Sequence, residues 1–400
     1  MKKLLCVAQV FRKDHYGRDV FLIPYYMGQQ TGAEVTLAFP SANSTDIQVF
    51  AGIRRGGVKI EPVPVSKPID NIGDVRWQMM RYVAKHAREY DTLLMYHLSR
   101  NTMVLGRIYK HFNPQGRLLV KTDGAFWVER MRHYEKPFDM GYDYHYPLQR
   151  QLAIVKRQLW RWRFQQLLRE IAILAVEDRQ CYERLLREPL IGVDLSKRVR
   201  YMLNGVDTEQ MKELGVTVSD VAQRGKNFLT VGWVGNGAKN TTMILRACEK
   251  IDFKGWKIYI VGDLENKEYQ AVIDDFFVRN PHLKETVIFT GGIYDKQRLW
   301  QMYNDCTVYI MSSRFESFNL SMLDGYHFHQ YMLATEVGFT ADMFAMGAAG
   351  ETIGQDDADD LATKMQAICN GETNVVGEVE KTKYRDVSWG TMVTALRADV

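Results

Sequence analysis

Short apolar runs recur along the chain, separated by longer stretches with helical spacing of apolar positions. In the first half the runs are Leu4–Phe11, Glu34–Phe39, Thr92–His97, Arg117–Lys121 and Ile173–Val176, with helical patterns such as Arg76–Tyr90 and Asn101–Phe112 between them. In the second half Asn227–Gly232, Lys257–Val261, Val287–Phe289, Val308–Met311 and Tyr331–Ala334 repeat the theme, separated by helical stretches Thr241–Ile251, Asn266–Arg279 and Lys296–Cys306. Runs this short and this rich in β-branched residues predict parallel strands buried on both faces. Two successive strand–helix series predict an α/β protein with two doubly wound, Rossmann-like domains, since right-handed crossovers return each helix onto its sheet. The break between them falls near Asn204-Gly205-Val206-Asp207, after a strand Val199–Leu203, giving domains 1–203 and 204 onward. A ligand of such a protein is expected in the cleft between the domains.

Length and composition agree with this division. A chain of 400 residues exceeds one typical core, and two domains of about 200 are the default. No run approaches the roughly 18 apolar residues of a membrane span, and Leu4–Phe11 is too short for a leader and lacks a cleavage site. The five cysteines, Cys6, Cys181, Cys248, Cys306 and Cys369, contain no C-x-x-C pair. That pattern argues for a reducing compartment, hence the cytoplasm, and against a zinc or disulfide framework. Charge is uneven: residues 1–200 hold 33 Lys+Arg against 20 Asp+Glu, a net of +13, and residues 201–400 hold 19 against 28, a net of −9. Anionic lipid, a charged acceptor or nucleic acid would suit the basic half; two domains that simply attract each other are the plainer reading.

The densest chemistry lies between Thr307 and Ala345. An apolar strand, Val308–Met311, breaks at Ser312-Ser313 and gives way to a helix near Phe318, with Glu316 in the turn and Asp324 eight positions on. Ligands of open α/β sheets bind at the carboxyl ends of strands. A helix start there offers unpaired N–H groups and a positive dipole end to a phosphate. Ser313, Glu316, Phe318 and Asp324 resemble the signature S-x-x-E-x-F-G-x-x-x-x-E-A of family-4 retaining glycosyltransferases, which have the GT-B fold. Asn319 stands for the glycine, Asp324 for the second glutamate and Gly325 for the alanine.

Further motifs follow in the order of that family. Asn204–Asp207 resembles the N-G-V-D that closes the first domain. Phe228–Thr242 resembles the strand and loop G-R-x-x-x-x-K-G, with Lys239 in the lysine's place, Trp233 where the arginine stands, and one residue more between them. Tyr259–Asp263 resembles the strand ending in G-x-G. Val287–Ile293 resembles V-x-F-x-G-x-V, and Val387-Ser388-Trp389 the F-S-W that opens the last helix. The resemblance is continuous from Asn204 to the end. It implies two Rossmann-like domains facing across a cleft: an acceptor-binding domain 1–203, a nucleotide-sugar domain 204–385, and a segment 386–400 crossing back to the first. It further implies Glu316 on the donor sugar, Lys239 on the diphosphate, Asp324 on the ribose, and the backbone at Gly292 and Ile293 on the base. The helix start through Ser317, Phe318, Asn319 and Leu320 would meet the donor as well. The donor would be a UDP- or GDP-sugar, with no metal and no other cofactor, and the reaction retaining transfer to a hydroxyl in cell-surface glycan or glycolipid synthesis.

The first half resembles the family only in outline. Gly17 sits where a glycine-bearing loop approaches the donor phosphates, and is equally an ordinary turn. Asp123, in K-T-D-G-A-F-W, occupies the place where many relatives have a histidine facing the reacting sugar. It could orient an acceptor hydroxyl or stabilise positive charge on the sugar, or cap the next helix. His97 ends another strand and reads more readily as structural. His327-x-His329 has a spacing that turns two helical side chains apart, against metal ligation. Residues 155–171 mix Lys156, Arg157, Arg161, Arg163 and Arg169 with Trp160, Trp162 and Phe164, which suits peripheral contact at the inner face of an anionic membrane. The alternative is a core-packed helix with a basic solvent face, in which Leu152, Ile154, Leu159, Leu167 and Leu168 are core. Acceptors in view are a glycan, a lipid-linked sugar or a protein. Two other readings remain open: a non-catalytic GT-B homologue serving as a binding subunit, suggested by Trp233, Asn319 and Asp324, and a transferase acting on nucleic acid. Basic residues without aromatic interleaving outside 155–171 argue against the latter.

Overall fold

The computed structural model describes residues 2–50, 53–67, 74–123, 126–132 and 147–397. The chain divides into two compact units, Met1–Gly205 with Trp389–Val400, and Val206–Ser388. In the first unit the strands are β1 (Lys3–Val7), β2 (Glu34–Ser41), β3 (Arg54–Arg55), β4 (Val58–Pro64), β5 (Thr92–Tyr96), β6 (Arg117–Thr122), β7 (Ile171–Val176) and β8 (Val199–Tyr201). Among the described residues they form one sheet in the order β3-β4-β2-β1-β5-β6-β7-β8, parallel throughout except for the two-residue β3. In β1, Leu4, Leu5, Cys6 and Val7 are all buried, alternate side chains entering apolar clusters on opposite faces. A strand with no polar face needs cover on both sides, and the helices between the strands supply it.

The second unit holds β9 (Gly225–Val231), β10 (Lys257–Val261), β11 (Val287–Gly291), β12 (Cys306–Met311), β13 (Tyr331–Thr335) and β14 (Gly350–Ile353). Their order is β11-β10-β9-β12-β13-β14, again all parallel. The strand order reverses between β9 and β12, which marks the switch point where such sheets bind ligands.

Local rules explain where the elements differ from the sequence pattern. Strand β4 carries Pro62 and Pro64, which read against a strand. It tolerates them because it lies next to the sheet edge, with only β3 outside it. The helix Asp19–Thr31 contains Pro24, whose ring nitrogen cannot bond the Val20 carbonyl. Tyr96 Oη takes up that role, donating toward Val20 O and Asp19 O at 3.2 Å each.

Packing places the division at Gly205/Val206 and Ser388/Trp389, slightly later than the breaks at 203/204 and 385/386 drawn from the sequence. Val206 N–H donates to Val387 O in the second unit, while Gly205 lies against the backbone of Trp389 so closely that a Cβ would come within 2.6 Å of it. Trp389, Val393 and Leu396 are buried in the first unit's cluster beside Leu4, Ile23 and Met27.

The expectation for Leu152 and Leu159 as core residues is corrected. In the helix Pro147–Glu170 the buried residues are Phe164, Leu167 and Leu168, whereas Leu152 and Leu159 are exposed. Among the described residues no helix is long and apolar enough to cross a membrane.

Candidate functional site

In the second unit, β9 ends in the loop 232–240 and β12 in the loop 312–319, and the two loops are stitched together. Arg314 N–H donates to Ala238 O at 2.7 Å, and its guanidinium donates to Gly237 O at 2.8 Å. Ser312 Oγ donates to Lys239 O at 3.0 Å. Asp356 ties both ends, accepting from Arg314 Nε at 2.7 Å and from Asn240 Nδ2 at 2.9 Å. This frame holds Lys239 with its Nζ 2.5 Å from Glu316 Oε1. The same oxygen accepts from Ser313 Oγ at 2.7 Å and from Asn319 Nδ2 at 3.2 Å. Gly232, Trp233, Lys239, Ser313 and Asn319 line the hollow at this corner. Trp233 is 56% exposed there.

Asn319 caps the helix Leu320–His327, which begins two residues later than Phe318. Its φ is +70°, in the left-handed region where Asn is among the few non-glycine residues at ease. Its Oδ1 accepts from Met322 N–H at 3.1 Å while its Nδ2 faces Glu316. Asparagine therefore meets the backbone demand of a glycine position and adds polar contacts to Glu316, Ser321 and Met322. Gly338, φ +58°, passes directly over Glu316: a Cβ would stand 2.8 Å from Glu316 Cβ. Ser317, Phe318 and Leu320 complete the turn; Phe318 is buried and stacks on Phe339 at 4.6 Å.

Asp324 lies on that helix near Lys296 and Trp300. Burial pushes its carboxyl up to about 6, with Lys296 and the Trp300 indole drawing it partly back. Gly292, after β11, has its N–H engaged by Asp263 Oδ1 at 3.1 Å, and a Cβ there would clash with that carboxylate. Ile293 follows, and Tyr294, 83% exposed, donates to Asp263 Oδ2.

The first unit carries a second constellation at the carboxyl ends of its strands. Lys121, inside β6 and fully buried, donates from Nζ to Asp123 Oδ1 at 2.5 Å, Glu177 Oε2 at 2.9 Å and Asn204 Oδ1 at 3.1 Å, with Asp19 Oδ2 at 3.5 Å. Three carboxylates around one ammonium leave an excess of negative charge out of water, which is costly unless protons are retained. Burial raises the Asp19 and Glu177 carboxyls despite Lys121. Asp123 is also pushed up by burial, but Lys121 and His97 override this and hold it below the usual range. Those carboxylates hold Lys121 firmly charged against its own burial. His97, with φ +61° and its ring stacked on Trp127 at 5.1 Å, has Nδ1 4.0 Å from Asp123 Oδ2. Burial lowers its pKa, leaving a neutral imidazole at pH 7.

Asp123 therefore belongs to an ion cluster. Asp19, Glu177 and Asn204 were not anticipated. The legible signal was Lys121 itself, a lysine in an apolar strand, which demands partner carboxylates. Gly17 closes a short three-ten turn, Lys13–Gly17, ahead of the helix that carries Asp19. His327 ends its helix and His329 stacks on Tyr384 at 4.1 Å. Among the described residues no group of three or more His, Cys, Asp or Glu is arranged to hold a metal ion.

Residues 225–370 match the family model described as "Glycosyl transferases group 1". No match to a curated protein is found. The whole chain is similar in structure to several solved proteins. HepE of Anabaena in complex with UDP is 13% identical, with a TM-score of 0.63 and 98% of each chain covered. The apo lipopolysaccharide outer core galactosyltransferase WaaB is 11% identical, with a TM-score of 0.62 and 100% of each chain covered. The catalytic domain of starch synthase IV from Arabidopsis thaliana, bound to ADP and acarbose, is 12% identical, with a TM-score of 0.58 over 99% of this chain and 97% of that one. The fold is GT-B.

Proposed function

We propose that the protein is a retaining glycosyltransferase that moves a sugar from a nucleotide-diphospho-sugar to an acceptor hydroxyl. The observation that carries this is the corner made by Lys239, Glu316, Ser313 and Asn319 at the ends of β9 and β12. An ammonium paired to a carboxylate in a hollow between two strand-end loops provides both halves of a sugar-phosphate site. Lys239 would turn from Glu316 to the donor diphosphate, and Glu316 would then accept from the sugar hydroxyls, the stronger kind of hydrogen bond. Asp324, once ionised, is assigned the ribose hydroxyls, and the loop at Gly292 and Ile293 the base. With the Gly292 N–H already held by Asp263, the contact there would come from what remains of that loop.

Transfer then needs no protein nucleophile. The acceptor oxygen forms its bond to the anomeric carbon on the face the diphosphate leaves, and the departing diphosphate oxygen takes the acceptor's proton. Lys239 and the start of the helix Leu320–His327 stabilise the charge that develops on that oxygen. The acceptor is assigned to the first unit, and Asp123 is assigned the role of orienting its hydroxyl. A hollow of about 420 Å³ lined by Gln9, Arg12, Ser41, Asn43 and Ser66 falls within the size range of ligand sites. The family match over residues 225–370 and the UDP and ADP complexes among similar folds support this reading. The lipopolysaccharide enzyme among them supports cell-surface glycan or glycolipid synthesis as the setting.

Trp233, exposed at the site in place of a cation, favours one competing reading: a subunit that binds donor without turning it over. Screening UDP- and GDP-sugars for donor hydrolysis and transfer separates the two. The proposal expects turnover that falls by about two to three orders of magnitude in Glu316→Ala, with the melting temperature little changed. Donor binding without turnover by the wild type would favour the binding subunit, and full activity in Glu316→Ala would remove the assignment.

A further inference from the structure

The helix Pro147–Glu170 presents two apolar faces, and among the described residues only one of them is covered. Phe164, Leu167 and Leu168 enter the first unit's core, with Trp160 packed partly against it. Leu152, Val155, Leu159 and Trp162 are 60%, 64%, 43% and 49% exposed. Their spacing of three, four and three residues aligns them in a single stripe about 80° wide, roughly 150° around the helix from the buried face. Soluble helices place polar residues there.

The charge around the stripe is one-sided. The helix holds six Lys and Arg (Arg150, Lys156, Arg157, Arg161, Arg163 and Arg169) against Glu170 alone. On the helical wheel Lys156 and Arg163 border one side of the stripe and Arg169 the other. Arg107, from the helix Arg100–Phe112, lies over the Trp162 ring at 5.3 Å, and Arg163 over Trp160 at 5.6 Å. These rings and guanidinium groups hold each other in place at the level of the stripe.

We propose that this outward face docks the protein on an anionic lipid surface, with Leu152, Val155, Leu159 and Trp162 entering the headgroup boundary and the flanking cations meeting lipid phosphates. An in-plane helix with an apolar stripe and basic borders is the arrangement such a surface selects. A second copy of the chain would also cover the stripe, since the spacing is that of a coiled-coil seam. Bringing two helices of net +5 together opposes that, whereas an anionic surface is complementary. The inference is independent of the donor site.

The test is co-sedimentation of the full chain with vesicles at physiological ionic strength. One set is phosphatidylcholine alone and the other contains about a third phosphatidylglycerol. The wild type is expected to bind the second set and not the first. Val155→Asp with Leu159→Asp, and separately Lys156→Glu with Arg163→Glu, are each expected to weaken binding about tenfold or more. All four residues lie outside the core, so the fold and donor binding in solution should be retained in both variants. Absence of binding to anionic vesicles, or binding unchanged in both variants, would overturn the proposal. So would a dimer in sedimentation velocity that the aspartate pair abolishes, because it would identify the second copy as the occupant.

Discussion

At the scale of single residues, the ionisation of Asp324 gives the clearest handle. Its carboxyl is raised to about 6 by burial, so the protein pays for its charge at neutral pH. A carboxyl whose folded pKa lies above its unfolded value destabilises the fold increasingly as pH rises from about 4 to about 6, and the cost is constant above that. Asp324→Asn should therefore raise stability at pH 8, by an amount on the order of 2 kcal/mol, and the gain should shrink toward zero near pH 4. Thermal melts across that range measure it; a gain that grows on acidification would contradict the burial argument. Asn cannot accept from two ribose hydroxyls as a carboxylate does, so the same variant should bind donor more weakly at pH 8. Glu316, Lys239 and Asp324 stand out in the sequence through their resemblance to the motifs of a known family. What that resemblance could not show is that Glu316 and Lys239 already hold each other, because that contact depends on two loops from different strands.

At the scale of elements, the turn from β12 into its helix shows how a departure from a motif can leave the geometry intact. Asn319 occupies a left-handed position, caps Met322 and reaches Glu316. Asn319→Gly should cost only a few tenths of a kcal/mol, since glycine accepts the φ and serves as a helix cap. Asn319→Ala should cost about 2 kcal/mol, combining the lost cap with a strained φ. Thermal denaturation separates the two, and equal effects would show that the backbone conformation is not what selects asparagine. Strand and helix order was readable from apolar periodicity because buried parallel strands are continuous apolar runs. The misreading came where neighbours override pattern: Leu152 and Leu159 are exposed on a helix whose period alone could not tell core from surface.

At the scale of the whole molecule, sequence-distant residues meet because parallel topology brings strand ends to one edge. Asp19, Lys121, Asp123, Glu177 and Asn204 span most of the first unit's length, and no local window could have joined them. Lys121→Met removes the cation that these carboxylates share and should destabilise the first unit by about 3–5 kcal/mol. The loss should be greater at pH 8 than at pH 5, where the carboxyls can take up protons. A neutral effect in melts at both values would mean the cluster is not held by Lys121.

The central claim is that the second unit binds a nucleotide-diphospho-sugar through the Lys239–Glu316 corner. Calorimetric titration of the full chain with UDP, GDP and their sugars, in the wild type and in Lys239→Ala, tests it most directly. The account predicts saturable binding of one of these nucleotide-sugars, weakened about tenfold or more in Lys239→Ala, with the fold retained. No binding by the wild type at millimolar ligand, or equal affinity in the two proteins, would contradict it.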